Sequence, residues 1–137
     1  MNNQTDDPLR SLVSGDTKAI DRQALANLLA PYVRIDQTTM GFGFLPAFAK
    51  LSSNDEKVEI ILTAAKARAL IFDSQDGMGP KEVAALEIMP LGSVKSALKH
   101  LYDTHKIQKD NDSRYSMPTY RIYELTDKYA NPSNRQG

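Results

Sequence analysis

The chain has 137 residues, 41% of them hydrophobic, which is enough material for one compact core. Seventeen Lys and Arg balance seventeen Asp and Glu, so the zero net charge argues against a protein that coats nucleic acid by bulk attraction. Without cysteine, disulfides, thiolate catalysis and zinc-finger sites are excluded. The chain has no long apolar run and no signal-peptide pattern at its start, so we expect a cytoplasmic protein with no membrane span.

The N-terminal part predicts a tail followed by a small extension, over residues 1–18 and 19–52. Residues 1–18 are polar, and we expect them to form a flexible tail. Asp21 is placed to cap a short helix that Pro31 ends, and its apolar positions are Leu25, Leu28 and Leu29. Residues 32–36 and 41–45 alternate as in a β-hairpin, whose glycines allow a neighbouring backbone or a protein partner to approach closely. A short helical turn follows over 46–51.

A longer unit is predicted over residues 53–130. Ser53 and Glu56 form a capping-box pattern, in which the carboxylate reaches back to the start of the helix. Apolar residues then recur at steps of three and four, which predicts one apolar stripe on a helix lasting to about Phe72. The stripe consists of Val58, Ile61, Leu62, Ala65 and Ala69.

Shorter elements follow this helix. A loop over 73–79 leads to Pro80, which suits the first position of a second helix over 80–87. Residues 89–92 predict a turn before a third helix that runs to about Thr104 with Val94, Leu98 and Leu101 on its inner face. Residues 106–109 and 114–117 predict a second hairpin, 120–129 a final helix or an extended cap, and 131–137 a frayed end.

The segment GPKEVAALEIMPLGSVKSALKHLYDTHKIQKDNDSRYSMP resembles bacterial and archaeal regulators of the MarR and ArsR type. The likeness rests on Ser93-Val94, on the segment Ala97-Leu98-Lys99-His100-Leu101 and on Ile107. It implies an α+β fold with a winged helix-turn-helix of three helices and a two-stranded wing, to which the N-terminal helix and hairpin are added. It also implies binding to double-stranded DNA.

The third helix is where base contacts are expected, because an exposed helix fits the major groove of DNA. With its leucines turned inward, small polar residues and lysines lie on or beside its outer face. These candidates are Ser93, Lys95, Ser96, Lys99 and His100. An ordinary solvated helix face is the alternative interpretation.

Two more candidates flank the turn of the second hairpin. Lys109 and Arg114 are expected to hold phosphates on either side of the groove, although solubilising charges are the alternative. Tyr115 is expected to pack on the third helix rather than to stack on a base, and the role of Arg121 is left open. Residues 90–121 contain six Lys and Arg against three Asp, which is a local excess of +3.

No catalytic, metal or cofactor pattern emerges. His100 and His105 are five residues apart, which turns them away from each other on a helix, and both are expected to be isolated surface histidines. The acidic loop 73–80 lacks the spacing of an EF-hand, and GFGF lacks the third glycine of a phosphate-binding turn. We therefore expect neither an enzyme nor a cofactor.

The sequence thus predicts a small transcriptional regulator that binds DNA as a homodimer. The dimer is inferred because such domains usually occupy two half-sites, and because Phe42, Phe44 and Phe48 offer more aromatic surface than one small hairpin covers. The alternative is a winged-helix interaction module without DNA affinity, in a replication, partition or mobile-element complex.

Overall fold

The computed structural model describes residues 21–130, which form a mixed α+β fold. In chain order the elements are α1 Arg22–Leu29, β1 Val33–Ile35, β2 Phe42–Phe44, α2 Pro46–Ala49, α3 Asn54–Phe72, α4 Pro80–Ala84, α5 Leu91–Asp103, β3 Gln108–Lys109, β4 Tyr115–Ser116 and α6 Arg121–Ala130. The expected tail over 1–18 and the expected frayed end over 131–137 lie outside the described residues.

The predicted N-terminal helix and first hairpin are confirmed. The Asp21 carboxylate accepts a hydrogen bond from the Ala24 amide at 3.0 Å, which caps α1, and the three leucines of this helix are buried. Strands β1 and β2 pair antiparallel, with Val33 opposite Phe44. Arg68 of α3 donates a 2.9 Å hydrogen bond to the Met40 carbonyl and so ties the hairpin turn to the central helix.

Helix α3 begins with a cap that differs in one detail from the expected box. The Ser53 hydroxyl oxygen accepts from the Glu56 amide at 3.1 Å, as predicted. The Glu56 carboxylate, however, accepts from the backbone amide and hydroxyl of Ser52, at 2.9 and 2.7 Å, instead of from the Ser53 amide. The reciprocal bond is therefore made one residue earlier, and two preceding donors are satisfied instead of one.

The prediction of a single apolar stripe on α3 was wrong, because the helix is buried on all sides over residues 58–67. Helix α1 packs against it, and so do α5 and β4. Three polar residues, Glu59, Thr63 and Lys66, are buried with the apolar ones. A helix surrounded in this way becomes the centre of the core, and its buried polar groups must find partners inside the protein.

The two helices after α3 also differ from prediction at their ends. Helix α4 stops at Ala84 rather than near residue 87, where Glu87 has a left-handed φ of 62°. The turn predicted over 89–92 was placed too late, because Leu91 and Gly92 already form the first turn of α5. Pro90 has extended backbone angles and stands at the cap position, so the helix starts directly after it.

A loop residue pairs with the second hairpin, which the sequence did not predict. Strands β3 and β4 pair antiparallel, and Met78, in the loop before α4, exchanges two backbone hydrogen bonds with Tyr115 at 2.8 and 2.9 Å. Gly77 permits this approach, because it has a φ of +91° and an added Cβ would lie 3.2 Å from the Tyr115 carbonyl oxygen. The loop before α4 and the hairpin are therefore held together.

The final segment forms helix α6, which decides between the two predicted forms in favour of a helix. It packs on α1, and its Tyr129 meets Tyr32, in the turn after α1, edge to face with ring centroids 6.0 Å apart. Ile122 and Leu125 bury its inner side. Within residues 21–130, no helix has both the length and the apolar character needed to cross a membrane.

Candidate nucleic-acid interface

Helix α5 has one buried face and one open face. Leu98 is 1% exposed and packs with its apolar neighbours toward α3, as the sequence predicted. On the other side Lys95, Ser96, Lys99 and His100 are exposed, and Ser93 is half-buried. The five predicted residues of this helix therefore lie outside its buried face.

Gly92 adds a gap to the open face near the start of α5. It is exposed, and a Cβ built on it would meet no atom within 4 Å. A helix turn without a side chain lets another molecule come close to the backbone. This part of the face is thus shaped for close approach rather than covered by the rest of the described chain.

Lys99 is already engaged by a neighbour on its own helix. Its ammonium lies 2.7 Å from the Asp103 carboxylate, four residues along α5. The hydrogen bond from Lys99 to this carboxylate, together with its negative charge, raises the pKa of the lysine. Both side chains are more than half exposed, so water screens the pair and Lys99 can exchange this partner for a phosphate or a base.

His100 is not the isolated surface histidine that the sequence suggested. Its Nδ1 contacts the carboxylate of Asp55, which belongs to the first turn of α3. Both residues line an open groove of about 600 Å³ between the start of α3 and the outer face of α5. Asn54, Ser93 and Ser96 also line it. The polar face of α5 thus continues onto α3, and sequence spacing of 45 residues gave no signal of this.

Arg114 does not project from the second hairpin as a free cation. Its guanidinium donates to the Glu82 carboxylate and, at 2.7 Å, to the Gly77 carbonyl, and its side chain is 23% exposed. Burial opposes ionisation of Glu82, but the Gly79 amide and Arg114 outweigh it and lower the pKa of this carboxylate. Arg114 therefore fastens the hairpin to the start of α4.

Lys109 stays at the surface beside two tyrosines. Its ammonium lies 4.9 Å from the ring centroid of Tyr102 and 5.8 Å from that of Tyr115. The two rings meet edge to face, 6.2 Å apart, which confirms the expectation that Tyr115 packs on the third helix of the unit. These contacts place Lys109 next to the C-terminal half of α5 without a carboxylate partner among the described residues.

Fewer of the positive charges in residues 90–121 are free in the structure than the count along the sequence suggested. Arg121, whose role was open, is 6% exposed and pairs with Glu59 inside the core. Arg114 and Lys99 are paired as described, which leaves Lys95, Lys106 and Lys109 without an acidic partner within residues 21–130. The sequence missed one more exposed cation, Lys81 of α4. Its place in the first turn of the helix before α5 was the available signal.

The aromatic residues of the first hairpin are largely covered by their own chain. Phe48 is buried, its ring lies 4.3 Å from that of Phe44, and Phe42 is covered by the Arg68 guanidinium at 4.2 Å. Phe42 and Phe44 are half-buried, so this hairpin exposes less aromatic surface than the dimer inference assumed. The expected protein partner at the hairpin and the homodimer both stay predictions.

Comparisons with protein-family models, with curated proteins and with solved structures found no match. Within the part of the chain from 21 to 130, no three His, Asp or Glu side chains are grouped so that they can hold a metal ion.

Proposed function

We propose that this chain binds double-stranded DNA in a sequence-dependent way, as a small transcriptional regulator of the winged helix-turn-helix type. The order α3, α4, α5, β3, β4 supports this fold, because it matches the three helices and the wing of such domains. The two backbone hydrogen bonds between Met78 and Tyr115 also support it, because they tie the loop between α3 and α4 to the wing.

The observation that carries the proposal is the open face of α5. A helix fits the major groove of B-DNA, which is about 12 Å wide, when small side chains allow its backbone to come close. Gly92, Ser93 and Ser96 are such residues, and Lys95 and Lys99 flank them. Serine and lysine side chains can both bond to base edges, so Ser96 and Lys99 are the residues that we assign to base recognition.

Affinity for the DNA backbone is assigned to lysines around α5, of which Lys81, Lys95 and Lys109 are exposed and Lys106 is half-buried. Lys81, Lys95, Lys106 and Lys109 give four phosphate contacts per protomer, and at about −0.9 per phosphate they predict a salt slope near −3.6. Raising the salt from 50 to 200 mM should then weaken binding roughly 150-fold per protomer. A protein of zero net charge adds little background attraction to this number.

Arg114 has a different role in this proposal from the one that its position in the sequence suggested. Because its guanidinium bonds to Gly77 and Glu82, we assign it to positioning the wing and not to the phosphate backbone. His100 similarly contacts Asp55 at the start of α3 through its Nδ1, which leaves its Nε2 for a contact with DNA. Of the two, only Arg114 is a positioning residue.

A protein-interaction module is the second candidate, and a specific observation favours it. Three of the candidate residues, Lys99, His100 and Arg114, contact carboxylates of their own chain. A surface whose charges are already neutralised attracts DNA weakly and suits a polar protein partner. In that case the groove between α3 and α5 is the contact surface.

Fluorescence anisotropy with labelled duplex DNA of randomised sequence, at 50 and 200 mM salt, separates DNA binding from the protein-interaction module. The Lys95→Glu substitution on α5 is compared with Lys50→Glu, an equal charge change on an exposed lysine that follows α2. We expect Lys95→Glu to weaken binding at least tenfold and Lys50→Glu to leave it nearly unchanged. If the folded protein binds no duplex at 50 mM salt, or both variants behave alike, the interaction module replaces the DNA proposal.

The dimer is proposed together with DNA binding, because two half-sites about 34 Å apart would double the number of phosphate contacts. Sedimentation of the protein with a duplex of one and of two helical turns tests it. We expect two protomers on the longer duplex. One protomer on both duplexes contradicts the dimer but not the DNA proposal.

A further inference from the structure

An apolar groove of about 360 Å³ opens between α1, β1 and the C-terminal end of α3. Its wall is formed by Leu25, Leu29, Val33, Ile35, Leu70 and Ile71. Ile71 is 58% exposed, one residue before α3 ends, and it belongs to neither α5 nor the second hairpin. This groove plays no part in the DNA proposal, and it leaves apolar surface in contact with water.

The edge of the groove is positively charged. Arg22 and Arg34 both line it. One nitrogen of Arg34, Nη1, donates to the carbonyls of Ala30 and Val33 at 2.6 and 3.0 Å, which fixes the guanidinium at the edge. Its other nitrogens have no partner among residues 21–130, so an acidic group beside an apolar segment would complement this site.

The chain itself contains a segment with that chemistry, directly before α1. Leu9, Leu12 and Val13 are spaced by three and one, so at about 100° per residue they share an arc of roughly 100° on a helix. Asp7 and Pro8 precede them, and these residue types favour the cap and first position of a helix.

The length of the connection allows this segment to reach the groove. Eight residues lie between Val13 and Arg22, and the nine Cα–Cα steps of extended chain span up to about 30 Å. Helix α1 has eight residues and is only about 12 Å long, so the segment can fold back along it. A short tether also gives an effective concentration in the millimolar range, which makes even weak docking favourable.

We propose that residues 7–13 of the same chain dock into this groove, with Leu9, Leu12 and Val13 against Ile71 and Ile35 and the acidic Asp6-Asp7 pair toward Arg22 and Arg34. The expected flexible tail then contains a binding segment that covers the exposed end of α3. The occupant is supplied by this chain rather than by a second copy.

The absence of cysteine makes a spin-label experiment direct. A nitroxide is attached at Ser11→Cys, which lies outside the apolar arc, in otherwise full-length protein with labelled isoleucine methyl groups. We expect the Ile71 and Ile35 methyl signals to lose intensity while that of Ile107, buried next to the second hairpin, keeps it. Adding Leu12→Asp should restore the lost signals, whereas Ser14→Asp, the same charge outside the arc, should not.

Each remaining outcome overturns the proposal. Unchanged Ile71 and Ile35 signals mean that the segment does not dock, and loss that persists with Leu12→Asp means that the apolar residues do not hold it. A mixture of isotope-labelled chains with separately spin-labelled chains should show no loss. Equal loss in that mixture assigns the groove to a second copy instead.

Discussion

The ion pair between Glu59 and Arg121 allows a quantitative test of how α6 is held. Both residues are nearly inaccessible to water, and Arg121 Nη1 lies 2.8 Å from Glu59 Oε2. The Tyr129 hydroxyl donates to the other carboxylate oxygen at 2.8 Å, and Lys128 lies 3.3 Å from it. Three residues of α6 thus converge on one buried carboxylate of α3.

Replacing this carboxylate by an amide isolates the effect of its charge. Glu59→Gln keeps the shape and an oxygen for Tyr129 but leaves the Arg121 cation buried beside a neutral group. Removing one partner of a buried pair costs about 3 to 5 kcal/mol, and the remaining contact of Arg121 with Glu124 at 3.1 Å favours the lower end. We therefore expect a loss of about 3 kcal/mol in the free energy of unfolding, measured by urea denaturation followed by circular dichroism.

Glu124→Gln is the matched control, because it removes an exposed carboxylate from the same arginine. We expect it to cost less than about 1 kcal/mol. Adding Arg121→Met to Glu59→Gln removes the uncompensated cation and should recover about half of the loss. If Glu59→Gln costs no more than Glu124→Gln, the buried pair does not hold α6 and this reasoning is refuted.

Two further predictions concern the core and the contact between α4 and the second hairpin. Leu98→Ala should cost about 2 to 5 kcal/mol, because this side chain is 1% exposed between α5 and α3, and a melting temperature equal to that of the parent protein would contradict the packing. The lowered pKa of Glu82 means that its contribution to stability is present above the ordinary glutamate pKa of about 4.3 and is lost as the pH falls through the lower folded value. Urea unfolding at pH 5 and pH 3 should accordingly show a smaller acid-induced loss of stability in Glu82→Gln, and an equal loss in both proteins would exclude this effect.

Local chemistry explains why the helices and hairpins were predictable. A cap such as Asp21 or Ser53 acts on amides two or three residues away, and Pro80 fixes its own backbone angle. The boundaries of α4 and α5 were missed because the left-handed φ of Glu87 and the start of α5 at Leu91 have no comparable residue signal. The bridge at Met78 was missed because one residue is too short for alternation to show.

In the candidate site, too, local features were predictable from the sequence and long-range contacts were not. The exposure of Ser96 and Lys95 follows from helical periodicity, which any sequence displays directly. The partners of His100 and Arg114 lie 45 and 32 residues away, on α3 and α4, so a hairpin charge that looked free is in fact committed to the fold. Counting charge along the chain therefore overestimated the positive charge that is available to DNA.

By itself the sequence determined the α+β composition, the order of the elements, the inner face of α5 and the candidate residues on its outer face, because these depend on contacts within a few residues. Only the tertiary structure decided that α3 is buried on all sides, that Glu59 and Arg121 form an internal pair, and that Arg114 positions the second hairpin. Burial and ion pairing are set by residues far apart in the chain. The residues next to a lysine or arginine in the sequence therefore do not reveal whether it pairs with a distant carboxylate.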